Sequence, residues 1–334
     1  MEPLSTESTG RQHRYVVVGV GAVGGGVAAL LHKAGLDVTA VARGEHLARL
    51  RAEGLRLSVG HDERLVRLRT VGSVGEVDWH DETVVLLAVK SQQTAAVLAD
   101  LAAHAPPETP VVCLQNGVSN ERAALRHFAH VHAVTVMMPA SHLEPGRVVV
   151  HSLGAPGLLD VGSYPAGVDV VDEALSADLR AAGFESLPRP DAMAWKHRKL
   201  LMNLGNGVDA ACQDGAAAER LVALVREEGE RVLRAAGVAV VSREDDLARR
   251  GELLRPLVRR DEAGSSTWQS LARRTGDVEI DHLNGEVVLL GRLHGVPTPA
   301  NELVQRAVNR LARDAGGARA LDAADLLTVL GEQV

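Results

Sequence analysis

A doubly wound parallel α/β sheet followed by an all-helical second domain is the fold this sequence predicts, and three observations carry it. An apolar stretch at residues 15–18 runs directly into Gly19-Val20-Gly21-Ala22-Val23-Gly24. Strand-like runs then alternate with helical patterns through the first half, which calls for a parallel sheet covered by helices on both faces. Beyond Asp191 the apolar spacing is helical, with Leu200, Leu204 and Val208 recurring at fours. With 334 residues the chain is long enough for two domains.

Taken in order, residues 1–13 are mostly polar and read as a disordered leader. Residues 15–18 form the first strand, and the glycine run turns it into a helix. Gly19 permits the tight turn, Gly21 lets the backbone approach phosphate, and Gly24 lets helix and strand pack closely, while Ala22 and Val23 open a helix whose N-terminus faces negative charge. This is the Rossmann-type signature of a dinucleotide site. Residues 15–31 carry no charge, but five of these 17 residues are glycine and the run is shorter than the ~20 residues a membrane span needs, so no membrane segment is expected.

The helix at 22–33 ends near Gly35, and a second strand at 38–42 stops at Arg43. Further strands are expected at 84–89, ending in Lys90, and at 111–114, ending in Gln115-Asn116-Gly117. In an open parallel sheet, ligands lie beyond the carboxyl ends of the strands, so the glycine turn, Arg43, Lys90 and Asn116 should line one crevice. An acidic residue at the second strand end would suit the ribose of NAD. Arg43 instead suits the 2′-phosphate of NADP, which makes NADPH the expected cofactor, with Glu45 a complication and a plain surface arginine the alternative. Lys90 either approaches the nicotinamide ribose or a substrate anion, or is a solvated lysine at a strand end. Strands at 131–137, 148–150 and 158–162 and a helix at 172–182 complete this half. Pro188 and Pro190 mark the boundary between a nucleotide domain, 14–188, and a helical substrate and catalytic domain, 189–334.

Composition narrows the function. A net charge of −7 argues against a phosphate-backbone binder, and 2% aromatic residues leave no stacking platform, so nucleic acid is not expected as a partner. The two cysteines, Cys113 and Cys212, sit in apolar contexts and read as core residues of a protein in a reducing cytoplasm. His127, His130 and His132 lie close together without a well-spaced carboxylate or cysteine, and no metal is expected.

In the second half, Lys199, Asn203 and Asn206 stand at i, i+4 and i+7, a polar stripe in an otherwise apolar segment. Asparagine is a poor interior helix residue, which points to function. Lys196, one turn earlier, competes with Lys199. Further on, Gly264 to Gln269 carries a Ser265-Ser266 pair, and Glu279 opens a helix with Ile280, Leu283, Val287 and Leu290 turned inward, ending before Pro297-Thr298-Pro299. A carboxylate at that position either does chemistry or favours the helix dipole.

Together these pieces resemble the ketopantoate reductase (2-dehydropantoate 2-reductase) family from about Tyr15 to Leu311: the glycine turn, Lys90, Leu114-Gln115-Asn116-Gly117, Lys199-Leu200-Leu201-Met202-Asn203, the serine pair with Gln269, Glu279-Ile280-Asp281 through Asn284-Gly285, and Thr298-Pro299-Ala300-Asn301 occur in family order. The resemblance implies a Rossmann domain and a helical domain that reduce a small 2-oxo acid with NADPH, ketopantoate to pantoate, a step of pantothenate biosynthesis; a homodimer is possible. By the same resemblance Lys199 is the general acid, Glu279 orients that lysine and the substrate hydroxyl, and Asn116 contacts cofactor and substrate. Asn203 binds substrate, with Asn206 beside it, and Ser266 holds the substrate carboxylate. The chain departs from the family at Gly207, where the second helix asparagine is usual, at His197, where tryptophan is usual, and at Met137-Met138-Pro139-Ala140-Ser141-His142. Its Ser266 to Glu279 spacing is also one residue longer. These departures admit a relative that reduces another 2-oxo acid, ketone or imine. A non-catalytic NADPH sensor is a further rival, which the presence of both Lys199 and Glu279 disfavours.

Overall fold

The computed structural model describes residues 13–255, 264–273 and 276–331; of the expected leader only His13 falls within them. The first half comprises β1 (Arg14–Val18), α1 (Ala22–Lys33), β2 (Asp37–Val41), α2 (Gly44–Ala52), β3 (Leu55–Val59), β4 (Asp62–Val66), β5 (Arg69–Val71), β6 (Thr83–Leu87), α3 (Thr94–His104), β7 (Val111–Cys113), α4 (Asn120–Ala124), β8 (Val131–Met137), β9 (Ala140–Ser141), β10 (Arg147–Val150), β11 (Leu158–Ser163) and α5 (Val170–Ala181). A seven-stranded sheet runs β11-β8-β7-β6-β1-β2-β5, parallel except for β11, which is antiparallel to β8. Strands such as β1 and β6 are apolar after their first residue because both faces of the sheet are covered. With β2 on one side of β1 and β6 on the other, the chain's winding reverses at β1, and its carboxyl end is the place where an open sheet leaves a crevice.

The expected strand at 148–150 exists as β10 but lies outside this sheet. It joins a second, four-stranded sheet, β4-β3-β10-β9, which the apolar patterning did not announce because β4 is largely exposed. This small sheet packs on α1, where Val148 and Val150 share a core with Val27 and Leu30. Gly25 makes the approach possible: a Cβ there would stand 3.0 Å from Val148 Cγ2. Helix α5 starts before 172 because Asp169 caps it reciprocally with Asp172.

The second half contains α6 (Ala192–Asn203), α7 (Gly205–Ala211), α8 (Ala216–Ala235) and α9 (Arg243–Arg250), then helices Ser266–Ala272, Asn284–His294, Pro299–Arg313 and Ala323–Leu330. Leu200, Leu204 and Val208 enter a core with Val225, Ile280, Val287 and Val304. The region after Glu279 opens with a 3₁₀ turn, Ile280–His282, and the α-helix begins only at Asn284. The Pro299–Arg313 helix has no side-chain cap of its own. The buried Glu228 carboxylate closes it instead, accepting from the Ala300 and Asn301 amides at 2.9 Å and from Asn301 Nδ2 at 2.8 Å. Among the described residues, no helix is long and apolar enough to cross a membrane.

Two buried charge clusters join the halves. On β11, Asp160 accepts from Arg189 Nε at 3.0 Å and from Arg249 of α9 at 2.8 and 3.0 Å. On α6, the Lys196 ammonium lies 2.8 Å from Glu121 of α4 and donates to the Gln115 carbonyl at 2.7 Å and the Val134 carbonyl at 3.1 Å. The Lys196 and Glu121 side chains are 2% and 0% exposed, so each charge depends on the other for compensation. Lys196→Met is therefore expected to cost about 3–5 kcal/mol of stability, since it strands a buried carboxylate, and the double variant Lys196→Met/Glu121→Leu should recover most of it. Urea unfolding of the three proteins checks this; equal stability of the single variant and the unaltered protein would contradict it.

Candidate active site

The crevice is built from strand ends upward. Gly19 has φ +98°, a conformation costly for any residue with a side chain, and a Cβ there would stand 2.7 Å from the Val89 nitrogen. A Cβ on Gly24 would collide with the Gly19 carbonyl and lie 2.8 Å from Ala88 Cβ. Gly21, by contrast, faces open space, with no atom within 4 Å of where its Cβ would be. Helix α1 starts there with no side-chain cap and no acidic residue in its first turn, so its amide dipoles meet the opening uncompensated. Close packing behind the turn and an open approach in front of it fit a pyrophosphate held on backbone N–H groups.

Arg43 follows β2 and precedes α2, with its side chain 67% exposed and one guanidinium nitrogen 3.6 Å from Asp100. Lys90 follows β6. Its ammonium donates to Ser270 Oγ at 2.9 Å and to the Asp277 carbonyl at 3.0 Å, so it binds the helical half to the nucleotide half. Burial lowers its pKa, opposed by the nearby Glu279 carboxylate.

Beyond β7, Asn116 is held by a buried polar network. Gln115 Nε2 donates to the Val89 carbonyl at 2.7 Å and to Thr94 Oγ1 at 2.8 Å, tying the ends of β6 and β7 together. Asn120 Nδ2 donates to the Asn116 carbonyl at 3.1 Å and to Ser91 Oγ at 3.2 Å. Glu279 Oε1 in turn accepts from the Ser91 amide at 3.0 Å and hydroxyl at 3.3 Å. Its carboxylate thus reaches across to the nucleotide half, and it does not serve the dipole of the following helix, which begins five residues later.

From the helical half, Asn203 Nδ2 donates to Asn116 Oδ1 at 3.3 Å. Lys199 stands one turn before Asn203 on α6 and is half-buried. Its rival Lys196 is committed to Glu121 and two backbone carbonyls. The expected single helix through Asn206 is interrupted: Leu204 separates α6 from α7, and its carbonyl accepts from Asn284 Nδ2 at 3.1 Å. Asn206 is buried on α7, and its carbonyl accepts from Ser265 Oγ at 3.2 Å. Packing explains the glycine at 207, where a Cβ would lie 2.6 Å from Val304 Cγ1 and 2.8 Å from Ile280 Cδ1. Ser266 is exposed at the start of its helix, whose cap is Ser265, accepting from the Trp268 amide at 3.2 Å.

The structure thus brings Asn116, Asn203, Lys90 and Glu279 into one bonded neighbourhood. Arg43 and the glycine turn lie at the neighbouring strand ends of the same sheet. Ser91, Asn120, Ser270 and Asp277 complete the neighbourhood without having been singled out in the sequence, where only the adjacency of Ser91 to Lys90 hinted at a role. Among the described residues His132, Asp169 and Asp172 have the proximity to hold an ion. Their groups are engaged as a His132–Asp172 pair at 2.8 Å and as the cap of α5.

The chain matches family models described as ketopantoate reductase PanE/ApbA over residues 15–166 and as its C-terminal domain over residues 191–312. It is 26% identical to 2-dehydropantoate 2-reductase of Pyrococcus horikoshii, over 91% of this chain and 99% of that protein, and 29% identical to the protein of that name from Caulobacter vibrioides, over 89% and 98%. A solved PanE/ApbA family ketopantoate reductase from Ralstonia eutropha JMP134 superimposes with a TM-score of 0.76 at 29% identity, covering 90% of this chain and 99% of that one. D-Mandelate dehydrogenase, solved with NADH and anilino(oxo)acetate, shares the fold at a TM-score of 0.78 and 21% identity, over 91% of this chain and 99% of its own. With both halves of the chain matched and the strand-end crevice in place, this protein belongs to the ketopantoate reductase PanE/ApbA family.

Proposed function

We propose that this protein reduces the 2-oxo group of ketopantoate to give pantoate, with NADPH as the reductant. The observation that carries the reading is the contact of Asn116 with Asn203, beside Glu279 on Ser91, which unites the strand ends with the helix bearing Lys199. The dinucleotide, when bound, supplies hydride to the 2-oxo carbon. Lys199 gives its proton to the ketone oxygen, and before transfer its positive charge favours the growing alkoxide. Glu279, anchored on Ser91, orients that lysine and the substrate hydroxyl. Asn116, Asn203 and Asn206 fix the substrate, and Ser266 donates to its carboxylate. The glycine turn of Gly19, Gly21, Ala22, Val23 and Gly24 seats the pyrophosphate, while Arg43 takes the 2′-phosphate in place of its long contact with Asp100. In the unusual segment 137–142, Met138 lies over Gly26 of α1 and against Gly157.

Arg43 generates the first prediction: NADPH binds more tightly than NADH, and Arg43→Ala removes ~1.5–3 kcal/mol of that preference, the range for hydrogen bonds to charged groups. Titration of both variants with both cofactors decides it, and equal affinities in the unaltered protein would refute the assignment. On the catalytic side, Lys199→Ala is expected to lower kcat by ~10²-fold or more with NADPH affinity nearly unchanged, because a general acid acts in the transition state. A variant that keeps its kcat would remove Lys199 from the mechanism. The substrate prediction compares kcat/KM for ketopantoate with that for 2-oxo-3,3-dimethylbutyrate, which lacks the hydroxyl. A site built to bond that hydroxyl discriminates by ~10⁴-fold or more, and comparable rates would mean the hydroxyl is not recognised.

A further inference from the structure

The segment at residues 137–142 supports the nucleotide half. His142, at its end, meets His46 of α2 with the rings edge-on and their centroids 4.4 Å apart. His46 Nε2 lies 2.7 Å from the carbonyl oxygen of Val20, inside the glycine turn. A carbonyl only accepts, so Nε2 carries the ring proton, and Nδ1 of the neutral ring is an acceptor. That acceptor receives the Gly146 amide at 2.9 Å and faces His142 Nε2 at 3.3 Å. The His142 carbonyl in turn accepts from Arg273 Nη1 at 2.7 Å, a residue of the helical half. Desolvation keeps both imidazoles below the usual histidine range, with His142 lowered to about 4 by burial, His46 and Arg273 in that order.

We infer that His46 is a positioning residue for the dinucleotide: it fixes the Val20 peptide, and so the amides around Gly21, while His142 and Arg273 brace it from the far side. The turn leaves the space above Gly21 open and, among the described residues, its carbonyl at Val20 is bonded to no other side chain, so this one ring sets the turn's outer edge. The inference rests on the reading of the protein as a nicotinamide-dinucleotide reductase, but it concerns binding rather than turnover.

The test is NADPH affinity, followed by the cofactor's own fluorescence, in four proteins: unaltered, His46→Phe, His46→Gln and His142→Leu. Phenylalanine keeps the ring and removes both nitrogens, and it should weaken NADPH binding by ~10-fold or more, the equivalent of one well-placed hydrogen bond. Glutamine retains a donor for Val20 and should restore affinity to within ~3-fold of the unaltered protein, while the KM for ketopantoate at saturating NADPH stays within ~2-fold throughout. A folded His46→Phe protein that binds NADPH as tightly as the unaltered one overturns the inference and leaves the functional reading standing. Should His46→Phe fail to fold, His142→Leu decides: a ~3-fold or greater weakening supports the inference and unchanged affinity overturns it. An unaltered protein that binds neither NADPH nor NADH overturns the inference together with the functional reading.

Discussion

One buried ammonium determines where the helical half meets the sheet. Lys196 is buried, and the structure pairs its charge with the Glu121 carboxylate and its N–H groups with the Gln115 and Val134 carbonyls. Any other docking of α6 would leave both a cation and an anion unpaired in a medium of low dielectric, a larger penalty than loose apolar packing would impose. Gln115 immediately precedes Asn116, and Lys199 and Asn203 follow Lys196 on the same helix. The groups proposed for chemistry therefore inherit their mutual placement from a residue that takes no part in it.

The nucleotide seat rests on a different constraint, that of volume. Gly24 and Gly25 let α1 lie close to β1 and to the second sheet, and Gly26 leaves room that Met138 takes up. An apolar helix crowded on several sides has little freedom to shift when a ligand arrives, so the amides at its start are presented ready-placed. Preorganised donors of this kind lose little entropy on binding an anion.

Much of this was legible in the sequence, for identifiable reasons. Buried parallel strands are apolar runs closed by turn residues, so β1, β2, β6, β7, β8 and β11 announce themselves, as does the glycine turn with its three separate steric demands. The helical half shows in the recurrence of Leu200, Leu204 and Val208. The second sheet did not show, because β4 is mostly exposed and β9 is two residues long. At the site, Lys199 showed through its helical spacing with Asn203 and Asn206, and Glu279 through its place at the start of a helix and the family resemblance. The residues that tie the site together, Ser91, Asn120 and Asp277, are small and polar, at helix starts or in a loop. Nothing local distinguishes a serine whose amide meets a carboxylate 188 residues away. His46 was hidden for the same reason, since its meaning lies in a carbonyl on another element. The stripe of Lys199, Asn203 and Asn206 was read as one helix, and it is divided at Leu204, whose carbonyl accepts from Asn284 Nδ2 far along the chain.

That interruption bears on how such sites diverge. Gly207 is pressed against Val304 and Ile280, which belong to segments far along the chain, so its identity is not set by α7 alone. A larger residue at this place would require Val304 and Ile280 to shift or the later helices to move outward. The three positions are therefore coupled by packing, and an asparagine placed at 207 by itself would have to displace both neighbours before it could reach any ligand.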